Sequence, residues 1–133
     1  MKTVLAATGL ALWAGMAAAQ DAGAIEDTIG AQLEAFNDRD IAEAWGFASP
    51  MIQGMFGNPG NFGRMVQNGY PMVWDNSAVE FRDLDGGPEI WTQDVYLRGP
   101  DGAGYVAEYD MIETDEGWKI NGVRILPAPD VSA

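Results

Sequence analysis

Residues 105–126 read YVAEYDMIETDEGWKINGVRIL, two runs of alternating apolar and polar residues joined by the polar cluster TDEG. Alternation over eight or more positions is typical of a β-strand with two different faces, and a turn cluster between two such runs joins the strands antiparallel. The turn is expected to be a three-residue loop, Asp115 to Gly117, because a type I turn can be closed by glycine in a G1 bulge. The stretch therefore predicts a long β-hairpin, against which the rest of the chain is arranged.

The loop length sets the register of this hairpin. It predicts the cross-strand pairs Thr114–Trp118, Glu113–Lys119, Ile112–Ile120, Asp110–Gly122 and Glu108–Arg124. Two of these pairs place a basic residue opposite a carboxylate, which is favourable. Because a slip of one residue turns every side chain to the other face, the register also predicts a helix-facing side with Val106, Ile112, Trp118, Ile120 and Leu126 around Glu108, Asp110, Gly122 and Arg124. The opposite face then carries Tyr105, Ala107, Tyr109, Met111, Val123 and Ile125.

The first 19 residues have the features of a secretory signal peptide. Lys2 precedes the apolar run VLAATGLALWAG and three alanines, so cleavage is expected after Ala19, and the alternative is an anchor that is not cleaved. The chain contains no cysteine, which excludes disulfides and a lipid anchor on cysteine. We expect a periplasmic or secreted protein with a signal peptide over residues 1–19, a single domain over residues 20–126 and a flexible tail over residues 127–133.

Charge and composition exclude several classes of function. The formal net charge is −13 and becomes −14 when Lys2 leaves with the signal peptide. Such a charge repels phosphate backbones and anionic lipid, so neither nucleic-acid binding nor membrane binding after signal cleavage is expected. Histidine is absent, which excludes imidazole metal ligands and a Ser-His-Asp triad. Asp83 and Asp85 lack the other ligands of a calcium loop, so the sequence predicts no metal and no cofactor.

The order of elements is helices first and strands afterwards. An apolar stripe predicts a helix over residues 22–37, formed by Ile25, Ile29, Leu33 and Phe36. Three later helix starts are predicted by a capping residue, which proline follows in two cases; the caps are Asp40, Ser49 and Asn58. Pro71 is expected at an edge or a bend, because it cannot donate to a ladder. Two further strands are expected, over residues 77–84 and 89–98.

This order predicts an α+β domain in which N-terminal helices pack on one face of a curved antiparallel sheet. Trp91, Val95 and Leu97 form the more apolar side of their strand, so we expect them beneath the helices. The outer face would then expose an apolar patch made of Ile90, Tyr96, Tyr109, Met111, Val123 and Ile125. A patch of this size usually marks an interface, so the sequence predicts a homodimer through the outer face of the sheet.

Three segments, FNDRDIAEAWGFASP, IQGMFGNPGNFGRMVQNGYPMVW and YDMIETDEGWKINGVRIL, together resemble a proteobacterial family known as domain of unknown function 4864. The most specific part is the block at residues 56–74. The order of elements, with the stretch from Phe36 to Trp45 and the terminal GWKI, is also similar to the nuclear transport factor 2-like, cystatin-like superfamily. That resemblance implies a cone of three helices wrapped on a bent sheet, with a pocket between them. Its members include isomerases, dehydratases and hydrolases as well as binding modules, and no catalytic motif of its enzymes matches this chain.

The candidate ligand-binding residues are Glu108, Asp110, Trp118 and Arg124. A carboxyl in an apolar pocket beside Trp118 would have a raised pKa and could act as a general acid or base. Arg124 could instead bind a ligand carboxylate through two hydrogen bonds. The structural alternative is an ion pair between Glu108 and Arg124, with Asp110 capping a backbone group near Gly122.

The block at residues 56–74 combines four glycines with asparagines and aromatic residues. It could form a lid over a pocket, or a tight helix-turn-helix connection that needs those glycines. The sequence predicts a domain that binds a small ligand or another protein, and it identifies no catalytic residue. The alternative is an acid/base isomerase, dehydratase or hydrolase that uses Asp110 or Glu108, with Arg124 holding an anionic substrate.

Overall fold

The computed structural model describes the backbone of residues 2–128 and the side chains of residues 18–128. Over this range, helices precede strands: α1 (Lys2–Asn37), α2 (Ile41–Gly46), α3 (Pro50–Phe56), α4 (Pro59–Gly69), α5 (Pro71–Trp74), β1 (Ser77–Asp85), β2 (Trp91–Arg98), β3 (Gly104–Thr114) and β4 (Gly117–Pro127). The strands form one open antiparallel sheet in the order β1-β2-β3-β4. The predicted α+β class is confirmed.

Helices α2, α3 and α4 begin where the capping residues predict. The side chains of Asp40, Ser49 and Asn58 accept hydrogen bonds from the backbone N–H groups of Glu43, Ile52 and Asn61 at 3.2, 3.3 and 2.8 Å. Proline occupies the first turn of α3 and α4, where its missing N–H costs nothing. The prediction that Pro71 lies at an edge or a bend is wrong. Because a missing N–H is tolerated in the first turn of a helix, α5 starts at Pro71.

Helix α1 supplies one wall of the core. Its predicted stripe is confirmed, since Ile25, Ile29, Leu33 and Phe36 are at most 1% exposed. The helix starts at Lys2 rather than near residue 22 and runs through the predicted cleavage point. Most of the predicted signal peptide lies outside the residues whose side chains are described, as does most of the predicted tail. No helix in the described part of the chain is long and apolar enough to cross a membrane.

The hairpin turn has its glycine as predicted, but the ladder differs by one residue beside it. Gly117 has φ +102, and Thr114 pairs with Gly117 rather than with Trp118. The ladder is irregular between Asp110 and Met111, where Asn121 is the extra residue on β4. From that bulge onward the predicted pairs, Asp110 with Gly122 and Glu108 with Arg124, are confirmed.

The bulge decides which side chains face the helices. An extra residue changes the alternation, so Trp118 and Ile120 lie on the same face as Val123 and Ile125. The prediction for β3 is therefore reversed: its helix-facing residues are Ala107, Tyr109 and Met111, all 0% exposed. Glu108, Asp110 and Arg124 lie on the outer face. This arrangement avoids burying two carboxylates, which would be costly without full pairing.

The bulge is held by the junction between α2 and α3. Ile120 donates its N–H to the carbonyl of Phe47 at 2.9 Å and accepts from the N–H of Ser49 at 2.8 Å. The Ser49 hydroxyl donates to the side-chain oxygen of Asn121, also at 2.8 Å. The free edge of β4 is thus covered at this point by residues 47–49.

The strand β2 faces as the sequence predicts. Val95 and Leu97 are 0% exposed, and Trp91 packs against Trp118 with 5.7 Å between ring centroids. The outer apolar patch is not present as predicted, because four of its members, Tyr109, Met111, Val123 and Ile125, face the helices. The homodimer itself stays a prediction, but it no longer rests on that patch.

Candidate functional site

A cavity of about 400 Å³ lies between the helices and the inner face of the sheet. Its helical walls include Phe36, Ile52, Phe56, Phe62, Met65 and Val66. The sheet contributes Tyr109, Ile120, Gly122 and Val123. The cavity reaches the surface beside Met55, which is 67% exposed. Its size is within the range of roughly 300 to 1,000 Å³ that is usual for small-molecule sites.

The cavity has no charged side chain in its lining, within the described part of the chain. Its polar side chains are those of Gln32, Tyr70 and Tyr109. An ion would lose its hydration there without meeting an opposite charge, which is unfavourable. The lining therefore suits an uncharged molecule with a large apolar part.

Aromatic rings form much of one wall. Phe62 packs against Phe36, Phe56 and Trp45, with ring centroids separated by 5.9, 6.0 and 5.6 Å. Such tilted and edge-to-face contacts fix the positions of the rings. Since Phe36, Phe56 and Phe62 all line the cavity, they present a preformed apolar surface to a ligand.

Helix α5 is fixed in place beside this wall. Arg39 donates to the carbonyl oxygens of Phe36 and Trp74 at 2.9 and 2.8 Å, pairs with Asp75, and lies over the Trp74 ring at 4.4 Å. The buried amide of Asn76 donates to the carbonyl oxygens of Leu33 and Val73. These contacts join α5 to the end of α1 and so hold Tyr70 and Val73 at the cavity.

Gln32 and Tyr109 are the two deeply buried polar residues of the lining. The Gln32 side-chain amide donates to the carbonyl of Ala44 at 3.1 Å, which ties α1 to α2. The Tyr109 hydroxyl has no hydrogen-bond partner among residues 18–128. Burial raises the pKa of the Tyr109 phenol above its ordinary value of 10.0, so the group remains a neutral donor and acceptor.

Three of the four predicted binding residues lie together, but on the outer face of the sheet. Arg124 donates to both carboxylate oxygens of Asp110 at 2.7 and 3.1 Å and to Glu108 at 3.1 Å. Thr92 donates to Asp110 at 3.1 Å. The hydrogen bonds from Arg124 lower the pKa of Asp110, whose partial burial acts in the opposite direction.

The expected position of this cluster in a helix-covered pocket is therefore wrong, because the sheet separates it from the cavity. The predicted ion pair between Glu108 and Arg124 is present, whereas Asp110 accepts from Arg124 and Thr92 instead of capping the backbone. Trp118 does face the helices, but it packs against Trp91 away from the cavity. A ligand-binding role for these four residues stays a prediction.

The block at residues 56–74 was predicted to form either a lid over a pocket or a tight helix connection. Its glycines form helix connections, and several of its aromatic residues line the cavity. Gly57 has φ +83, which favours glycine, and a Cβ on Gly63 would lie 2.9 Å from the side chain of Ile41. These glycines serve the helix connections. The same block contributes Phe56, Phe62, Met65, Val66, Tyr70 and Val73 to the cavity, as a helical wall rather than a loop over its mouth.

Sequence reasoning missed Gln32 and Tyr109 as lining residues. A usable signal for Tyr109 was the difference between the two faces of β3, because the side with Ala107, Tyr109 and Met111 has no charge. The other side carries Glu108 and Asp110. Gln32 had no comparable signal, since it lies beside an apolar helix stripe and its partner comes from another helix.

Comparisons with known proteins identify the family and no closer relative. No curated protein and no solved structure matches this chain. Within the described residues there is no group of three or more side chains suited to hold a metal ion. A family model matches residues 18–133, which is most of the sequence. The chain therefore belongs to the family described as Domain of unknown function (DUF4864).

Proposed function

We propose that this protein binds a small, uncharged and mainly apolar molecule in the cavity between its helices and its sheet. The observation that carries the proposal is a preformed space of about 400 Å³ whose described lining includes no charged side chain. Pockets of this kind, apolar with a few polar groups, are typical of small-molecule sites. The net charge of −13 further disfavours an anionic ligand.

The proposed setting is the periplasm or the extracellular space, in a cone-shaped fold of the nuclear transport factor 2-like type. Helices followed by an open antiparallel sheet, with a cavity between them, support this fold. Export is supported by the start of the family match at residue 18, close to the expected cleavage after Ala19. The acid/base enzyme has less support, because Arg124 holds Asp110 and no described lining residue is a carboxylate.

The proposal can be tested with N-phenyl-1-naphthylamine, a neutral dye that fluoresces strongly in apolar surroundings. We expect its emission to rise on mixing with the protein, with a dissociation constant of about 1 to 100 μM for a ligand of this size. Val66→Phe fills the cavity from α4 and should weaken binding about tenfold or more. No rise in emission with the unmodified protein would contradict the proposal.

The matched control is Val79→Phe, which adds the same atoms at a 38% exposed position on β1 that does not line the cavity. This variant should bind the dye as the parent protein does. Circular dichroism and thermal unfolding establish whether each variant is folded. If Val66→Phe does not fold, Val123→Phe tests the same space from the sheet side. Equal losses in Val79→Phe and the cavity variants would place the dye elsewhere.

A further inference from the structure

Among residues 18–128, the buried side-chain polar atoms have hydrogen-bond partners with one exception. Among the buried residues, Gln32, Ser49, Asn76 and Gln93 each donate a side-chain hydrogen bond. The hydroxyl of Tyr109 is the single buried side-chain polar atom in the range 18–128 that has no partner. A buried hydroxyl without a partner is destabilising, and phenylalanine would fill nearly the same volume without that penalty. Packing alone therefore does not explain a tyrosine at this position.

The neighbouring amides already donate to backbone carbonyl groups. Gln93 lies opposite Tyr109 on β2, and its amide donates to the carbonyls of Arg82, Asp83 and Asp94 at 2.9, 3.3 and 2.9 Å. Gln32, on the helical side of the cavity, donates to Ala44. The neighbour of Tyr109 on β4 is Val123, which has no polar side chain. Tyr109 lines the cavity, and its hydroxyl is a deeply buried polar group without a partner among residues 18–128.

We propose that the Tyr109 hydroxyl anchors the ligand by donating a hydrogen bond to an oxygen atom of an otherwise apolar, uncharged molecule. The inference rests on the proposed function and specifies its ligand class: a small aromatic or alicyclic ketone, ester or alcohol. The phenyl rings of Phe36, Phe56 and Phe62 would contact the apolar body. Burial raises the pKa of Tyr109, which keeps the donor proton in place at neutral pH.

The test compares two naphthalenes of nearly equal shape, 2-acetylnaphthalene and 2-isopropylnaphthalene, as competitors of N-phenyl-1-naphthylamine. The ratio of their affinities in the parent protein is compared with the ratio in Tyr109→Phe. We expect Tyr109→Phe to reduce the relative preference for the ketone by roughly three- to tenfold, which corresponds to one hydrogen bond. The affinity for the hydrocarbon should be unchanged or higher.

The control variant is Tyr105→Phe. Tyr105 lies on the same face of β3, but its hydroxyl donates to Asp101 at 2.7 Å and the residue does not line the cavity. Its removal should leave the ratio unchanged. A ratio that also stays unchanged in Tyr109→Phe, with both compounds bound, overturns the anchor and leaves the proposed function intact. Failure of both compounds and the dye to bind the parent protein overturns the proposed function.

A second measurement needs no variant and can still overturn the inference if Tyr109→Phe does not fold. The carbonyl stretching band of 2-acetylnaphthalene, isotopically labelled at the carbonyl carbon, is recorded in complex with the parent protein. A donated hydrogen bond moves the band to lower wavenumber than in hexane, and this shift is the expected result. A band at the hexane position would show a bound ketone without a donor and would overturn the inference.

Discussion

Two tyrosines on the same face of β3 have opposite hydrogen-bonding states. The hydroxyl of Tyr105 donates to Asp101, whereas that of Tyr109 is buried without a partner in the described chain. Because of this contrast, substitution of Tyr109 can be tested by its effect on stability in the ligand-free protein as well as by its effect on ligand binding.

Removing the Tyr109 hydroxyl should not destabilise the ligand-free protein. Tyr109→Phe deletes a buried polar atom that makes no hydrogen bond, so we expect the free energy of unfolding to stay constant or to rise by about 1 kcal/mol. Thermal unfolding without ligand measures this as an unchanged or higher Tm. Tyr105→Phe, which breaks a hydrogen bond, should lower the Tm. A clear loss of stability in Tyr109→Phe would show that its hydroxyl is paired in the folded protein.

The charged cluster on the outer face should stabilise the sheet and have no effect on the cavity. Asp110→Asn weakens the two hydrogen bonds with Arg124, whose side chain is 53% exposed, so a loss of about 0.5 to 1 kcal/mol at pH 7 is expected. The affinity for the dye should not change, because the sheet separates the two sites. A tenfold weaker affinity would instead support the predicted binding role of Asp110.

The stability difference between Asp110→Asn and the parent protein should depend on pH. The folded protein holds the pKa of Asp110 below 3.8, so the unfolded chain takes up a proton first as the pH falls. The contribution of Asp110 is therefore full above about pH 4 and is lost as the pH falls through the lowered pKa. Urea unfolding at pH 7 and at successively lower pH should show the two proteins converge.

The charge pairs on the hairpin illustrate what a sequence can establish at the scale of residues. Glu108 was predicted opposite Arg124, and the structure confirms the pair. The predicted pair of Glu113 with Lys119 is wrong, because Lys119 lies opposite Ile112. The pairing of Glu108 with Arg124 constrains which residues are neighbours, but it holds equally well on either face of the sheet. The face is decided by burial, which favours the charge-free side with Tyr109 and Met111.

At the scale of elements, local signals were sufficient for most helix starts and for the glycine in the hairpin turn. Each cap acts within three residues of itself, so a single sequence contains the interaction. The bulge at Asn121 is different, because its partner Ser49 lies 72 residues earlier in the chain. No pattern in the nearby sequence predicts such a contact. The bulge that this contact holds reverses the predicted faces of β3.

Ser49 should be the most important of the helix caps. It is 0% exposed, caps α3, and also donates to Asn121 in the bulge. We expect Ser49→Ala to cost about 2 to 3 kcal/mol and the exposed cap variant Asp40→Ala about 0.5 to 1 kcal/mol. Chemical denaturation of both variants measures the difference. Equal losses would mean that the contact with the bulge contributes nothing.

Ser49→Ala should also weaken binding of N-phenyl-1-naphthylamine, since α3 carries Ile52, Met55 and Phe56 at the cavity. Asp40→Ala should not, because its helix contributes no lining residue.

At the scale of the whole molecule, the order of elements and the α+β class followed from the sequence, and the resemblance to domain of unknown function 4864 is confirmed. The cavity could be expected only through the resemblance to the nuclear transport factor 2-like superfamily. Its existence depends on the space left between packed layers, which periodicity does not determine. The same apolar side chains could fill the interior completely, and the register of β3 decides which of them line the remaining space.

The proposed function requires that a small neutral molecule binds between the helices and the sheet. The direct test is a methyl NMR titration of the full chain with 2-acetylnaphthalene. We expect the methyl signals of Ile52, Val66, Ile120 and Val123 to shift together with saturation, because these residues line the cavity. The signals of Val79, Val106 and Leu126 should stay in place. Shifts confined to the second group, or no saturable shift in the first, would contradict a ligand site between the helices and the sheet.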